Sequence, residues 1–492
     1  MPASWSSRRE QPGPRRSNGT DAARPTHAIG TNGTAGTAGT AARRDLDEDV
    51  DGVVLDGASD DTTAGRKHPA RAPRELRTIA RHGRLRRRPW ATVGKSVLAV
   101  VSVVVLSVTG LAAVAAANLV ADVKPSVHLV GQPQTVPDIG ALVGGVNILI
   151  AATDTRSGQG GGYGTLADSS GAGLNDVTML IHLSQDHSHA TVVSFPRDLI
   201  LPIPACPDPS GGSFSAMSAQ PLNVTLSYGG LACTVLTIEQ LTGLKIPFAG
   251  LVDFKGVVAM SNVVGGVPVC IADGGIHDYH TNLNLPDGIV SLKGVQAAEF
   301  LRTRYGVGDG SDLGRISNTQ VFLSSLVRTV MTPKTLGDPA KIWGIAKAIT
   351  QNVQLSESMN NLTTLYQMAM AAKDLDFNNI VFVQYPVGDS VDYPGKVVAV
   401  QDSAATLMDA LQHDQPLQLT GGTGLGAVTS TAAPTPPPPA PSSTPTASKG
   451  GSRSGSSPTA SAKPTPTATP VALPDDVTGQ TAATQTCSKG NN

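Results

Sequence analysis

Residues 146–156 read VNILIAATDTR, an apolar run that ends abruptly in polar residues. Two later stretches are built alike, DVTMLIHLS at 176–184 and HATVVSFPRD at 189–198. Short apolar runs rich in β-branched residues, each closed by polar residues or proline, predict buried strands. Helical patterns follow them: LACTVLTIEQLTG at 231–243, stopped by Gly243; LKGVQAAEFLRTRYG at 292–306, stopped by Gly306; and GRISNTQVFLSSLVRTVM at 314–331. Strands alternating with helices predict an α/β sandwich around a central sheet. The pattern continues through TTLYQMAMAAKDL to a late strand, NIVFVQYPV. We therefore expect one globular unit with a main part at 146–332 and a completing part at 333–420.

Outside that unit the composition changes. Residues 1–90 hold an acidic patch, DLDEDVDG, and then a basic one, RKHPARAPRELRTIARHGRLRRRPW. They read as a disordered segment. From Ser96 to Ala121 there is no charged residue, and about 20 apolar residues span a bilayer as a helix. Ala113, Ala115 and Ala117 offer signal-peptidase-like sites, but a signal core is shorter and lies nearer the N-terminus. The reading is an uncleaved transmembrane helix at 91–121. Arg84, Arg86, Arg87, Arg88 and Lys95 flank one side, which predicts a cytoplasmic N-terminus and an extracellular remainder. Residues 122–145, with Pro125, Pro133 and Pro137, read as a stalk. Residues 421–492, with TAAPTPPPPAPSSTPTASKGG, read as a disordered tail, although DDVTGQTAATQTCSKGNN resembles a short terminal element.

A net charge of −1 and only 4% aromatics speak against nucleic acid as a partner. All four cysteines, Cys206, Cys233, Cys270 and Cys487, fall on the expected outer side, where disulfides persist. Cys206 and Cys233 both lie beside loop-like segments and are the favoured pair, though three connectivities stay open. There is no Walker loop, no H-E-x-x-H, no G-x-S-x-G and no S-x-x-K. The histidines of DHSHA, at 186–190, read as part of a solvated turn.

Charge gathers in one place. EFLRTRYGVGDGSDLGR, at 299–315, holds Arg302, Arg304 and Arg315 with Asp309 and Asp312, in a chain that is only 15% charged. Arginine forks bind phosphate oxygens, and helix N-termini favour anions. Asp154 and Arg156 close one predicted strand, Asp176 opens the next, and Arg197 and Asp198 follow Pro196 after a third. Two carboxylates at strand ends could hold Mg²⁺. Arginines with Mg²⁺ are what phosphoryl transfer needs.

The order LIAATDTR, LNDVTMLIHL, ATVVSFPRDL, LNVTLSYGG, VDFKGVVAMSNVVGGV, LKGVQAAEFLRTRYG and GDGSDLGRI resembles the LytR–CpsA–Psr family of cell-envelope proteins, in its actinobacterial form. The resemblance is dense over 146–332. It implies a mixed sheet flanked by helices, with an apolar pocket for a polyprenyl tail. It also implies a phosphotransferase that moves a glycopolymer from a polyprenyl-pyrophosphate carrier to peptidoglycan, at the cell membrane. The family's metal-binding aspartates match Asp154 and Asp176, for Mg²⁺ or Mn²⁺. Its pyrophosphate-binding arginines match Arg197, Arg302, Arg304 and Arg315. Asp198 is a candidate base, and Arg156, Asn223, Asp312 and Gln320 are candidate substrate-binding residues. The chain departs from the common pattern at Leu174–Asn175, where many members have Arg–Ser. It departs again at Asn318–Thr319, where many have Arg–Gln. Those departures motivate an alternative: a weakened homologue that binds the carrier or peptidoglycan as a scaffold or regulator. A polyprenyl-pyrophosphate phosphatase is a further variant.

Overall fold

Strand β1 (Val146–Thr153) runs through the middle of the sheet and has partners on both sides. The computed structural model describes residues 93–103, 107, 124–131, 144–157, 173–208, 210–430 and 469–491 of the chain. The expected disordered segment 1–90, most of the expected membrane span and the Pro/Ser/Thr-rich stretch 431–468 lie outside the described residues. Residues 93–103 are helical. Among the described residues no helix is long and apolar enough to cross a membrane.

β2 (Asn175–Leu183) pairs antiparallel with β1, and β3 (Ala190–Phe195) pairs antiparallel with β2. On the other side β4 (Phe248–Val252) lies parallel to β1. A second sheet begins with β5 (Val267–Ile271) and β6 (Gly288–Leu292), which pair antiparallel. Later segments return to the first sheet. β7 (Val353–Leu355) edges β4, and β8 (Ile380–Gln384) lies parallel to β3. The C-terminal region adds β9 (Ala427–Thr429), β10 (Gly479–Thr481) and β11 (Thr486–Ser488). The central mixed sheet therefore has the order β7-β4-β1-β2-β3-β8-β10, and the second sheet β6-β5-β11-β9.

Five helices build the outer layers and the site: α1 (Thr225–Thr242), α2 (Phe254–Val264), α3 (Val295–Arg302), α4 (Asp312–Val330) and α5 (Pro339–Asn352). Side chains alternate across a strand, so the central sheet buries both faces. Leu149, Ala151, Leu180 and Val193 pack with Leu231, Val235 and Ile238 of α1. On the opposite face Val146, Val192 and Phe382 pack with Leu323 and Val327 of α4 and Ile349 of α5. Helices thus cover a mixed sheet on both sides, an α/β sandwich.

Several boundaries move. The helix expected over 292–306 is shorter, Val295–Arg302. Leu292 ends β6, and Thr303 leaves the helix with extended backbone because Asp278 captures its hydroxyl at 2.5 Å. Gly243 does stop α1, in the left-handed region at φ 71°. The stalk is not free over 124–131: the Val127 N–H donates to Leu355 O, and Leu129 is buried in the core.

The disordered tail expected from 421 onward is also corrected. Residues 421–430 and 469–491 carry β9, β10 and β11, and Cys487 bonds Cys270 on β5. Backbone pairing to two sheet edges and one covalent link hold these residues without a hydrophobic run of their own. The second disulfide is Cys206–Cys233, the favoured pair.

Candidate active site

The site starts at a fault in the β1–β2 ladder. Ala152 faces Val177 and Thr153 faces Asn175, so Asp176 has no partner across the strands. Such a bulge re-aims a side chain. Gly173 precedes it at φ +72°, where a Cβ would lie 2.7 Å from Asp154 Oδ1 and 2.6 Å from Thr155 N. Without that Cβ, the Leu174 N–H reaches Asp154 Oδ1 at 2.7 Å. Asp154 and Asp176 are thus presented from the same end of two adjoining strands.

Two arginines close on Asp176. Arg197, set just past β3 by Pro196, donates from Nη1 to Asp176 Oδ1 at 2.5 Å. Its Nε lies 3.6 Å from both Asp198 Oδ2 and Asp312 Oδ1. Burial works against its charge, but Asp176 and Asp312 outweigh that and hold its pKa above the ordinary value. Arg315, in the first turn of α4 and only 4% exposed, donates from Nη2 to Asp312 Oδ1 and to the Asp176 carbonyl, both at 2.6 Å. The Ser311 hydroxyl caps that helix by accepting from Gly314 N–H. Lys396, from the segment after β8, pairs with Asp198 Oδ1. Two arginines and one lysine therefore balance three aspartates, and the inner cluster is close to neutral.

The positive surplus sits beside it. Phe254, the first residue of α2, has the Arg302 guanidinium 4.9 Å and the Arg156 guanidinium 5.2 Å from its ring centre. Nε and Nη1 of Arg156 are buried with no hydrogen-bond partner among the described residues. The same holds for Nε of Arg197 and of Arg304, Oδ1 of Asn223 and Nε2 of Gln320. Buried donors without partners are rare in folded proteins; those of Arg156, Arg304 and Gln320 suit an anion, whereas Asn223 Oδ1 is an acceptor and Arg197 Nε already faces two carboxylates. Asn223 lies next to Arg197, whose carbonyl accepts its N–H.

The predicted residues do not all meet. Asp176, Arg302 and Arg315 share the wall of one cavity of about 230 Å³. Arg304 is not in that wall and makes no ion pair with the cluster among the described residues. It is set by Asp278, which accepts from Thr303 Oγ1 and from the backbone N–H of His280, Arg304 and Gly306. Burial opposes the Asp278 charge, yet these hydrogen bonds dominate and hold its pKa below the ordinary value. The cavity is otherwise apolar, lined by Ile150, Met179, Val257, Met260, Leu301 and Phe322 among others. Phe254, Asp278 and Lys396 are absent from the residues singled out in the sequence. VDFKG carries the one usable signal, an N-cap aspartate that accepts from Gly256 N–H and puts an aromatic first in the helix.

Residues 114–413 match the LytR_cpsA_psr family. The chain belongs to this family. It is 28% identical over 357 residues to the cell wall biosynthesis protein LcpA of Corynebacterium glutamicum, covering 66% of each chain. It is 26% identical over 240 residues to the polyisoprenyl-teichoic acid–peptidoglycan teichoic acid transferase TagU of Oceanobacillus iheyensis, covering 49% of this chain and 66% of that one. The chain thus spans just under two thirds of the length of these relatives. Among solved structures, a LytR-Csp2A-Psr enzyme from Actinomyces oris aligns with a TM-score of 0.44 and 20% identity, over 59% of this chain and 96% of that one.

The two departures from the common family pattern have local explanations. Asn318 is fully buried. It donates to Phe300 O and accepts from Ser488 Oγ of β11, so it serves the added strand. Thr319 lines the cavity and returns its hydroxyl to Arg315 O. Leu174 contributes its backbone N–H to Asp154, and Asn175 is tied to Thr178 Oγ1.

Proposed function

We propose that the chain is a membrane-anchored, extracytoplasmic phosphotransferase that moves a glycopolymer from a polyprenyl-pyrophosphate carrier to peptidoglycan. The observation that carries this reading is an apolar cavity with Arg302 and Arg315 in its wall and Arg156 beside Arg302 on the Phe254 ring, two of the Arg156 nitrogens being buried and unpartnered among the described residues. A polyprenyl chain has the chemistry of the cavity, and a pyrophosphate has that of the arginines. The names of LcpA and TagU support the same reaction class.

In this reading Arg156 and Arg302, backed by Phe254, hold the pyrophosphate oxygens. Arg197 and Arg315 fix Asp176 in place. A peptidoglycan sugar hydroxyl forms the new P–O bond, and the bond from that phosphorus to the bridging oxygen breaks. Polyprenyl phosphate departs, and the hydroxyl proton goes to solvent or a nearby carboxylate. Charge that grows on the phosphoryl oxygens is stabilised by guanidinium groups already in position. Asp154 and Asp176 offer an oxygen-only donor pair, which suits Mg²⁺ or Mn²⁺. When bound, the ion would neutralise phosphate charge. Both oxygens of Asp198 already face cations, Lys396 and Arg197, so its part is to position Arg197. The uncharged stretch Ser96–Ala121 supports the single-pass anchor with a cytoplasmic N-terminus.

The test uses the full chain in detergent with a polyprenyl-pyrophosphate sugar, Mg²⁺ and a peptidoglycan acceptor. Expected are transfer to the acceptor and a large loss in Arg302→Ala. Carrier binding without turnover, with Arg302→Ala behaving like wild type, would establish the scaffold reading instead. Phosphate release without transfer would establish the phosphatase.

A further inference from the structure

We propose that His182, His189 and Asp414 bind one divalent transition-metal ion, Zn²⁺ by donor chemistry, at the end of the central sheet remote from the arginines. His182 is near the end of β2 and Asp176 near its start. Six residues of strand put them about 20 Å apart. One ligand atom from each of the three residues lies within 4.8 Å of the others. Ligands at 2.0–2.1 Å around tetrahedral zinc stand about 3.4 Å apart, so modest side-chain shifts complete the site.

The hydrogen bonds point the lone pairs inward. Asn147 Nδ2 donates to Lys245 O at 3.0 Å, so its Oδ1 is the acceptor that faces His182 Nδ1 at 2.9 Å. The proton of His182 therefore sits on Nδ1. Its Nε2 lone pair then faces Asp414 Oδ1, also at 2.9 Å. Two acceptors at that distance need a cation between them. A proton alone would serve His182 and Asp414, but it leaves His189 unexplained. His189 is only 6% exposed, its Nδ1 meets Ser188 Oγ, and its Nε2 has no hydrogen-bond partner among the described residues. The Gln415 backbone carbonyl also reaches the ring, a weak contact that falls short of a hydrogen bond at Nε2 and that a bound ion would displace. A metal accounts for all three groups at once. Asn147 then acts as the outer partner that orients a ligating histidine.

The surroundings fit. Gly145, at φ +82°, passes so close that a Cβ would lie 2.9 Å from His182 Cε1 and 3.1 Å from Asp414 Oδ1. The Asp414 side chain keeps 20% exposure, which leaves a path for the ion and a water in the fourth position. His189 is thus not the solvated turn residue that DHSHA suggests. The ion would tie β2, the start of β3 and the segment after Gln401–Gln412 into one cross-link, far from the transfer chemistry.

The full chain, stripped with a chelator, is titrated with Zn²⁺ and separately with Co²⁺. Expected are one Zn²⁺ bound per chain and visible absorption bands of low-coordinate Co²⁺. Zn²⁺ should also raise the thermal unfolding midpoint by several degrees. All three responses should vanish in His189→Ala and in Asp414→Asn, and should persist in Asp154→Asn. The proposal is overturned if stripped wild type shows no Zn²⁺-dependent response, which would leave a proton as the shared cation. It is equally overturned if binding survives in His189→Ala, or is lost in Asp154→Asn.

Discussion

Arg315 and Arg302 carry the same charge in different settings. Arg315 is buried and bonded to Asp312 and to the backbone of Asp176. Its removal takes the short-range partner from the buried Asp312 carboxylate, at a cost of about 3–5 kcal/mol. Arg315→Ala should therefore lower the denaturant midpoint together with turnover. Arg302 ends α3 at the cavity wall over Phe254. Arg302→Ala should cut transfer by roughly 10²–10³-fold while the thermal unfolding midpoint stays near that of wild type. Asp278 makes a separate prediction. Its pKa is depressed in the folded state, so the stability it contributes is fully present above about pH 4 and lost as pH falls through the folded value. In urea unfolding across pH, Asp278→Asn should be less stable than wild type at neutral pH, and the gap should close in acid. The strand-end aspartates and arginines were legible in the sequence because such positions open into clefts. Asp278 and Lys396 were not, because each acts through a partner far along the chain.

At the level of elements, readable parts are those that carry their own hydrophobic pattern. β1 to β3 are buried and have runs to match, and α4 has a cap and a long apolar stripe. α3 ended early because of a tertiary contact, the capture of Thr303 by Asp278, which outranks the local helical pattern. β10 and β11 contain only GQT and TCS, and nothing in those residues distinguishes a strand from a loop. They exist because sheet edges offer free backbone groups. The cavity is likewise a property of assembly, since its wall draws on β1, β2, α2, α3, α4 and α5. Filling it from α5 with Ala348→Phe should raise KM for long-chain polyprenyl substrates more than for short-chain ones, in a kinetic comparison of chain lengths. The arginines would be untouched.

For the whole molecule, the C-terminal residues decide whether the second sheet holds. The Cys270–Cys487 disulfide spans 217 residues, and losing a native disulfide typically costs about 2–5 kcal/mol. Cys487→Ser should lower stability by that order in denaturant titration. It should also slow transfer, because β11 leads straight into contacts with the arginine-rich loop. Gly308 N–H donates to Lys489 O, Asn491 N–H donates to Gly306 O, and Asn491 Nδ2 donates to Tyr305 O. These contacts impose a schedule. The loop bearing Arg304 leaves the ribosome long before its brace, and at ~5–20 residues per second a stretch of about 200 residues takes roughly 10–40 s. A nascent chain can thus own every arginine of the cluster and still lack a finished site. Completion of that loop waits for residues 486–491 to arrive, so the fold carries a delay between placing the arginines and bracing the last of them.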